Sequence, residues 1–172
     1  MATKTPLGTF RTHKREVSTL GWVARGVAAG AAGTTALNAV TYLDMAIRGR
    51  GASSTPEDTV EKLAEKVHVQ VPGQGETRAN RLQGLGPLTG IAAGLGVGAL
   101  AGLARATGVR VRPLVGTALT TAGVLIAANG PMTVLGITDP RTWSALDWLS
   151  DVVPHVAYSA VVTATLDAFD RR

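Results

Sequence analysis

The chain has 172 residues, of which 45% are hydrophobic and only 17% charged, with a formal net charge of +5 and no cysteine. Low charge combined with a positive mean hydropathy of +0.19 excludes an intrinsically disordered chain. The lack of cysteine excludes disulfides, thiolate-zinc sites, iron–sulfur clusters and a cysteine nucleophile.

The N-terminal part is basic and is followed by an apolar stretch. Residues 1–19 are predicted to form a cytoplasmic tail, and residues 20–172 a single membrane domain. The stretch 26–43 carries no charge and continues past Asp44, so a first span over about 22–47 is expected. Lys14 and Arg15 before an apolar run would also suit a cleaved signal peptide, although the run exceeds the usual length of about 7 to 15 residues.

Residues 48–83 form the one long polar segment and are expected to make the first outer loop. Thr55, Pro56 and Asp58 give a helix-start signal. This short amphipathic helix is expected to pack on the bundle, to lie on the membrane surface or to bind a partner. Its carboxylates lack converging ligands and indicate a solvated face, not a metal site. Its apolar stripe has helical spacing and comprises Val60, Leu63, Ala64 and Val67.

The second predicted span, about 84–104, has no charge over 21 positions and carries a glycine at every fourth residue. Apolar side chains gain little by meeting in lipid, so helices associate there through close backbone approach along small residues. The pattern predicts tight packing on another helix of the same chain or of an oligomer. Possible partner strips lie at Gly26 and Gly30 in the first span and around Gly116 and Gly123 in the third. The glycines of the second span are Gly86, Gly90, Gly94, Gly98 and Gly102.

The third span, about 113–137, lies in an uncharged stretch of 26 residues and contains Asn129-Gly130-Pro131 near its outer end. Because Pro131 lacks a backbone donor and disfavours helical geometry at the preceding residue, a break or kink is predicted there. Trp143 and Trp148 follow and are expected in an interfacial elbow before the fourth span, about 151–169.

Polar groups inside spans are costly and mark candidate sites. The candidate cluster is centred on His155, expected one turn inside the membrane boundary on a helix capped by Ser150 or Asp151. Two alternatives remain open: a proton-relay or ligand role, and a structural histidine that bonds Asn129 or a carbonyl freed at Pro131. The cluster comprises Asn38, Asp44, Asn129, Asp151, His155, Tyr158 and Ser159, with Asp167 as a further polar candidate.

The lysines and arginines are biased towards one side of the predicted bundle. Ten lie in the N-terminal part, the link between spans two and three and the C-terminus, against seven on the opposite side. Both termini are therefore expected in the cytoplasm. No basic stripe with interleaved aromatics is present, so nucleic acid is not an expected partner and the cations are interpreted as topology determinants and anionic-lipid contacts. A soluble bundle is disfavoured because a chain of this length has no outer layer to cover helices that are apolar all round.

Several of these features occur together in one known kind of protein. Four short spans, a glycine-rich second span, the Asn-Gly-Pro break and the fourth-span motif at His155, Tyr158 and Ser159 resemble small uncharacterised four-helix integral membrane protein families of bacteria. The turn 53–56 and the Ala/Gly/Arg usage resemble their actinobacterial members, which carry a domain of unknown function. The similarity covers about 23–169, and many relatives would have glycine in place of Ser159. It implies a topology and no assigned reaction.

The sequence therefore predicts an all-α polytopic protein of the bacterial inner membrane with four transmembrane helices. Its expected role is that of a structural, accessory or oligomeric component, whose partners are the lipid bilayer and a second copy or another membrane protein. The alternative is a small transporter or channel module with a polar cluster around His155. Enzymatic activity is not expected, because Ser159 lies on the same helix as His155 and no third catalytic group is apparent; no cofactor or metal is expected either.

Overall fold

The computed structural model describes residues 17–171. Within this range every regular element is helical, which confirms the prediction of an all-helical protein. The predicted cytoplasmic tail lies mostly outside the described residues. The helices are α1 (Thr19–Arg48), α2 (Thr55–Lys66), α3 (Gly75–Ala106), α4 (Pro113–Val134) and α5 (Ala145–Asp170), with a 3-10 turn at Pro140–Thr142.

Three of these helices, α3, α4 and α5, are long and apolar enough to cross a membrane. They have 32, 22 and 26 residues, and crossing the hydrocarbon core requires about 20. The first predicted span corresponds to α1, which has 30 residues but does not belong to this group. Ala and Gly fill much of α1, and Arg25, Asn38 and Asp44 add polar groups, so its hydropathy is lower.

Helix α1 lies at the centre of the arrangement, where it contacts both α3 and α5, while α4 packs on α5 and α2 on α3. Gly26 of α1 faces Gly98 of α3, and Thr34 faces Gly94, so the two helices run antiparallel. The contacts of α1 with α5 also run in opposite directions along the two helices. They pair Arg25 with Phe169, Gly33 with Tyr158 and Val162, and Arg48 with Ser150.

Glycines bring the backbones of α1 and α3 into direct contact. A Cβ atom placed at Gly98 would lie closer than 3.0 Å to backbone atoms of Gly26 and Gly30. A Cβ at Gly102 would meet the backbone of Trp22 and Gly26 in the same way. Backbone atoms cannot yield as a flexible side chain can, so no larger residue fits without moving the helices apart. The partner of Gly94, Gly98 and Gly102 in α3 is thus the first helix of the same chain.

The remaining glycines divide between packed and open positions. Gly86 lies against Pro56 and Glu57 at the start of α2, whereas the space beside Gly90 is open. In α4, Gly116 packs on α5 at Thr163, and Gly123 faces open space. The glycine strip of α4 is therefore not a partner surface for α3.

Of the break or kink predicted near the end of α4, the break is absent. The helix continues through Asn129 and Pro131 to Val134, so the Asn-Gly-Pro segment does not interrupt it. Two backbone bonds, from Gly136 N to Thr133 O and from Ile137 N to Met132 O, then close a Schellman motif around Gly136, whose φ is 70°. A proline near a helix end removes one bond only, and this capped final turn supplies others.

Few residues are fully buried, and they lie between α1, α3 and α5. Ala29, Tyr158 and Val162 have no exposed surface, with Trp22, Val124 and Leu166 around them. Large apolar side chains elsewhere on the helices are exposed, among them Leu100, Leu119 and Ile126. These exposed apolar side chains suit a bundle whose outer surface meets lipid.

The first prediction concerns the backbone contact. Gly98→Leu should destabilise the bundle by more than the roughly 1–3 kcal/mol typical of overpacking, because the new side chain meets the backbone of α1. Gly94→Leu should also destabilise it, since a Cβ there meets the Thr34 side chain. The measurement is the unfolding midpoint of the purified protein in mild detergent.

Gly96 lies on the same helix as Gly98, and a Cβ placed there would meet nothing within 4 Å, so Gly96→Leu is the matched control. Leu95→Ala should likewise leave assembly intact. Equal midpoints for the Gly98 and Gly96 variants would show that the α1–α3 contact does not support the fold.

Candidate functional site

Helix α5 carries most of the predicted polar cluster and begins earlier than expected. Ser144 and Asp147 form a capping box, in which the backbone N–H of Asp147 donates to Ser144 Oγ (3.2 Å) and that of Ser144 donates to the Asp147 carboxylate (2.9 Å). The expected cap at Ser150 or Asp151 is therefore wrong, since both lie inside the helix. His155 lies nearly three turns from the helix start, not one.

Three members of the predicted cluster meet between α4 and α5. Asn129 of α4 donates from Nδ2 to the Asp151 carboxylate at 2.8 Å, which joins the two helices near the α4–α5 connection. His155 Nδ1 lies 2.6 Å from the backbone carbonyl of Asp151 and 3.5 Å from its carboxylate. The hydrogen bond of His155 lies within its own helix, and among the described residues none joins it to Asn129 or to a carbonyl freed at Pro131. A backbone carbonyl only accepts, which places a proton on Nδ1 in this arrangement.

Two further members, Tyr158 and Ser159, use their hydroxyls on backbone carbonyls. Ser159 donates to the carbonyl of His155 one turn earlier, at 2.8 Å. Tyr158 points to the other side of α5 and donates to the carbonyl of Gly94 in α3 at 2.5 Å. Because both side chains are fully buried, these bonds satisfy groups that would otherwise be costly inside the bundle. The Tyr158 hydroxyl fixes α5 against α3.

The last two members lie on α1. Asn38 is partly buried near the middle of that helix and is not joined to His155. Asp44 accepts from Arg50 Nε at 2.6 Å and from Arg48 at 3.3 Å, and Arg48 also donates to Ser150 Oγ at 2.7 Å. Asp44 therefore belongs to a second polar contact at the same end of the bundle, between α1 and α5. The predicted residues form separate links and not one pocket.

The strongest polar network lies at the opposite end of the bundle and was missed by the sequence reasoning. Arg105, at the end of α3, pairs with Asp167 at 2.6 Å and with Asp170, both on α5. Arg110, in the α3–α4 connection, pairs with Asp170 at 2.7 Å and donates to the carbonyl of Arg105 at 2.6 Å. Arg105 is only 8% exposed. The sequence signal was present, since Asp167 and Asp170 are carboxylates on adjacent turns of α5, but Arg105 was interpreted only as a topology determinant.

Aromatic rings extend this network to α1. The Arg25 guanidinium lies 4.9 Å from the centre of the Trp22 ring and 5.4 Å from that of Phe169. The Arg110 guanidinium lies 5.0 Å from the Trp22 ring. Cation–π contacts of this kind stabilise by about 0.5–1 kcal/mol at exposed sites and by more where water is excluded. One layer of cationic and aromatic side chains thus joins the start of α1, the ends of α3 and α5 and the α3–α4 connection.

The turn between α4 and α5 is held by one ion pair. Arg141 donates to the Asp139 carboxylate from its guanidinium at 2.8 Å and from its backbone N–H at 3.1 Å. The guanidinium hydrogen bond is the main cause, and the backbone bond the second, that holds the pKa of the Asp139 carboxyl below its usual value. Trp143 and Trp148 pack edge to face beyond this turn, with ring centres 5.0 Å apart. The segment between α4 and α5, predicted as an interfacial elbow, therefore has a defined conformation.

Comparisons with protein-family models, with curated proteins and with solved structures found no match. Among the described residues, no group of three or more His, Cys, Asp or Glu side chains could hold a metal ion. The polar side chains join helices to one another or to backbone carbonyls.

The second prediction concerns the buried network. Arg105→Gln should lower the free energy of unfolding by roughly 3 kcal/mol, because Asp167 loses its ion-pair partner and Asp170 keeps only Arg110. This is the low end of the range for buried ion pairs, since the side chains of Asp167 and Asp170 keep about a fifth of their surface exposed. The measurement is chemical or thermal unfolding in detergent.

Arg112→Gln removes the same charge from an exposed position in the same connection and serves as the control. A loss in Arg112→Gln as large as that in Arg105→Gln would assign the effect to general charge and not to the network.

The third prediction separates the roles of Asn129 and His155. Asn129→Leu should destabilise the α4–α5 contact by about 1–2 kcal/mol, because the Asp151 carboxylate loses its partner on the other helix. His155→Gln and His155→Leu should cost less, because the histidine bond lies within α5. Thermal unfolding of the three variants gives the comparison.

A larger loss in His155→Leu than in Asn129→Leu would refute this assignment. A pH-dependent cellular phenotype that is lost in a stable His155→Gln variant would instead favour the proton or ligand role.

Proposed function

We propose that this chain is an integral protein of the bacterial inner membrane with four transmembrane helices and both termini in the cytoplasm. Its role in this proposal is structural or accessory: the bundle acts as a component that associates with lipid and with a second copy or another membrane protein. The proposal agrees with the resemblance of the sequence to small bacterial four-helix membrane families.

One observation carries the four-span proposal: α1 lies antiparallel to α3 with their backbones in contact at Gly98 and Gly102. These glycines belong to the uncharged part of α3, the part that would occupy the hydrocarbon core. A helix whose backbone is in contact with that part of α3 must lie at the same depth in the membrane. In lipid, α1 would also satisfy its own backbone groups as a helix, as every span must. Its low hydropathy is then offset by burial against α3 and α5.

The charge distribution supports the orientation. The ends of α1, α3, α4 and α5 that lie together at the network carry Arg25, Arg105, Arg110 and Arg112, and the basic N-terminal part precedes this end. At the opposite end, most of the acidic residues lie in the end of α1, in α2, in the start of α3, in the α4–α5 turn and in the first turns of α5. The arginine-rich end is placed on the cytoplasmic side by the positive-inside rule.

The structural role is supported by how the buried polar groups are used. Tyr158 and Ser159 bond backbone carbonyls, and Arg105 links α3 to α5. A transport path between the helices would need an open polar channel, yet the space between α1, α3 and α5 is filled by fully buried Ala29, Tyr158 and Val162. These observations favour an accessory component over the transporter alternative.

The fourth prediction tests the topology. The natural chain has no cysteine, so single substitutions allow specific labelling. Gln74→Cys, at an exposed position before α3, should react with an impermeant maleimide in intact cells or spheroplasts. Val109→Cys, in the exposed α3–α4 connection, should react only after the membrane is ruptured.

Ser53→Cys provides an independent position on the α2 side and should behave like Gln74→Cys. Reversed labelling would overturn the orientation while leaving the spans intact. If Gln74→Cys and Val109→Cys, at the two ends of α3, were both labelled in intact cells, the result would argue against α3 as a span.

A further inference from the structure

An apolar groove lies between α2 and the outer half of α3. Its volume is about 430 Å³, within the roughly 300–1,000 Å³ typical of ligand pockets. Its lining includes Val60, Leu63 and Val67 of α2 and its following turn, and Leu85 and Thr89 of α3. Leu63, Val67 and Leu85 are 44%, 66% and 40% exposed, so apolar surface remains uncovered although α2 packs on α3.

The groove lies at the level of the predicted membrane boundary. At 1.5 Å per residue, the 32-residue α3 is about 48 Å long, more than the ~30 Å hydrocarbon core. Leu85 and Thr89 belong to its uncharged stretch, whereas Arg78 and Arg81 precede that stretch. The groove therefore begins at the apolar part of α3 and continues outward along α2.

One cation, the guanidinium of Arg81, belongs to a residue that lines the groove and forms no ion pair with a carboxylate of residues 17–171. The neighbouring Arg78 pairs with Glu61 at 2.5 Å, and Lys62 pairs with Glu65 at 2.9 Å. Arg81 is the one charged residue that lines the groove, it is exposed, and no carboxylate among the described residues forms an ion pair with it. Its guanidinium lies beside Gly73, where the chain turns into α3.

We propose that this groove binds one anionic phospholipid of the outer leaflet. The acyl chain lies along Val60, Leu63 and Leu85, and the headgroup phosphate accepts from Arg81. Apolar burial provides binding to any acyl chain, and the guanidinium adds selectivity for an anionic headgroup through charge-assisted hydrogen bonds. The proposal rests on the proposed membrane location. In it, α2 is a lipid-binding element and not only a cover for the bundle.

The test is native mass spectrometry of the full chain from mild detergent, titrated with phosphatidylglycerol or with phosphatidylcholine of the same acyl chains. The wild type should bind phosphatidylglycerol about tenfold more tightly than phosphatidylcholine. Arg81→Gln should reduce phosphatidylglycerol binding about tenfold, to the level of phosphatidylcholine, because one charged contact is lost. Arg141→Gln, which removes an exposed arginine on the same side, should retain the preference.

Two variants test the acyl-chain part. Ala64→Trp should fill the groove and reduce binding of both lipids. Val67→Gln alters an exposed groove residue without threatening the fold and should weaken both lipids to a smaller extent. Unchanged binding of both lipids in both variants would overturn the proposal. A phosphatidylglycerol preference that survives Arg81→Gln would also overturn the proposal. A dimer of the chain that Ala64→Trp abolishes would overturn it too, because the groove would then be an interface between two copies.

Alkaline extraction of cell membranes distinguishes this proposal from the one on which it rests. Release of the chain by alkaline carbonate would refute the membrane location and the lipid site together. Retention of the chain in the membrane, combined with equal binding of the two lipids, would refute the lipid site alone.

Discussion

The contact between the backbones of α1 and α3 is the constraint on which the rest of the bundle depends. Because Gly26, Gly98 and Gly102 lack side chains, the two helices meet without a layer of side chains between them. This closeness lets Tyr158 reach from α5 to the carbonyl of Gly94. It also places α1 where α3 and α5 can cover its many small residues. Shape, and not hydrophobic burial, selects this arrangement, as expected for helices that assemble in lipid.

The sequence predicted those features that depend on local patterns. Uncharged stretches predicted α3 and α4, and the helix-start signal at Thr55 and Pro56 predicted α2. The glycine spacing indicated a tightly packed face on α3. The helix ends were less predictable, because they depend on competing bonds. The expected break at Pro131 is absent since one lost donor near a helix end is compensated by the capped turn at Gly136. The start of α5 was misplaced because Ser144 and Asp147 cap it before the apolar stretch begins.

The candidate site could be predicted only in part. Asn129, Asp151 and His155 do meet, but the sequence could not reveal that His155 bonds a carbonyl of its own helix. Nor could it show that Arg105 and Asp167, 62 residues apart, form an ion pair, because that contact depends on the relative rotation of α3 and α5. Residue type and spacing limit which groups can share a helix face. The partner on another helix is set by packing.

The distance along the chain between the two halves of the glycine contact bears on how the protein is made. Gly26 is synthesised about 70 residues before Gly98, which corresponds to a delay of roughly 4 to 14 s at ~5–20 residues per second. During that interval α1, with its modest hydropathy and its polar Arg25 and Asp44, has no α3 to cover it. In the four-span proposal, its stable insertion is therefore a step that follows the synthesis of α3. In that proposal α1 is made before α3 but reaches its final depth after it, with α3 acting as its template within the same polypeptide.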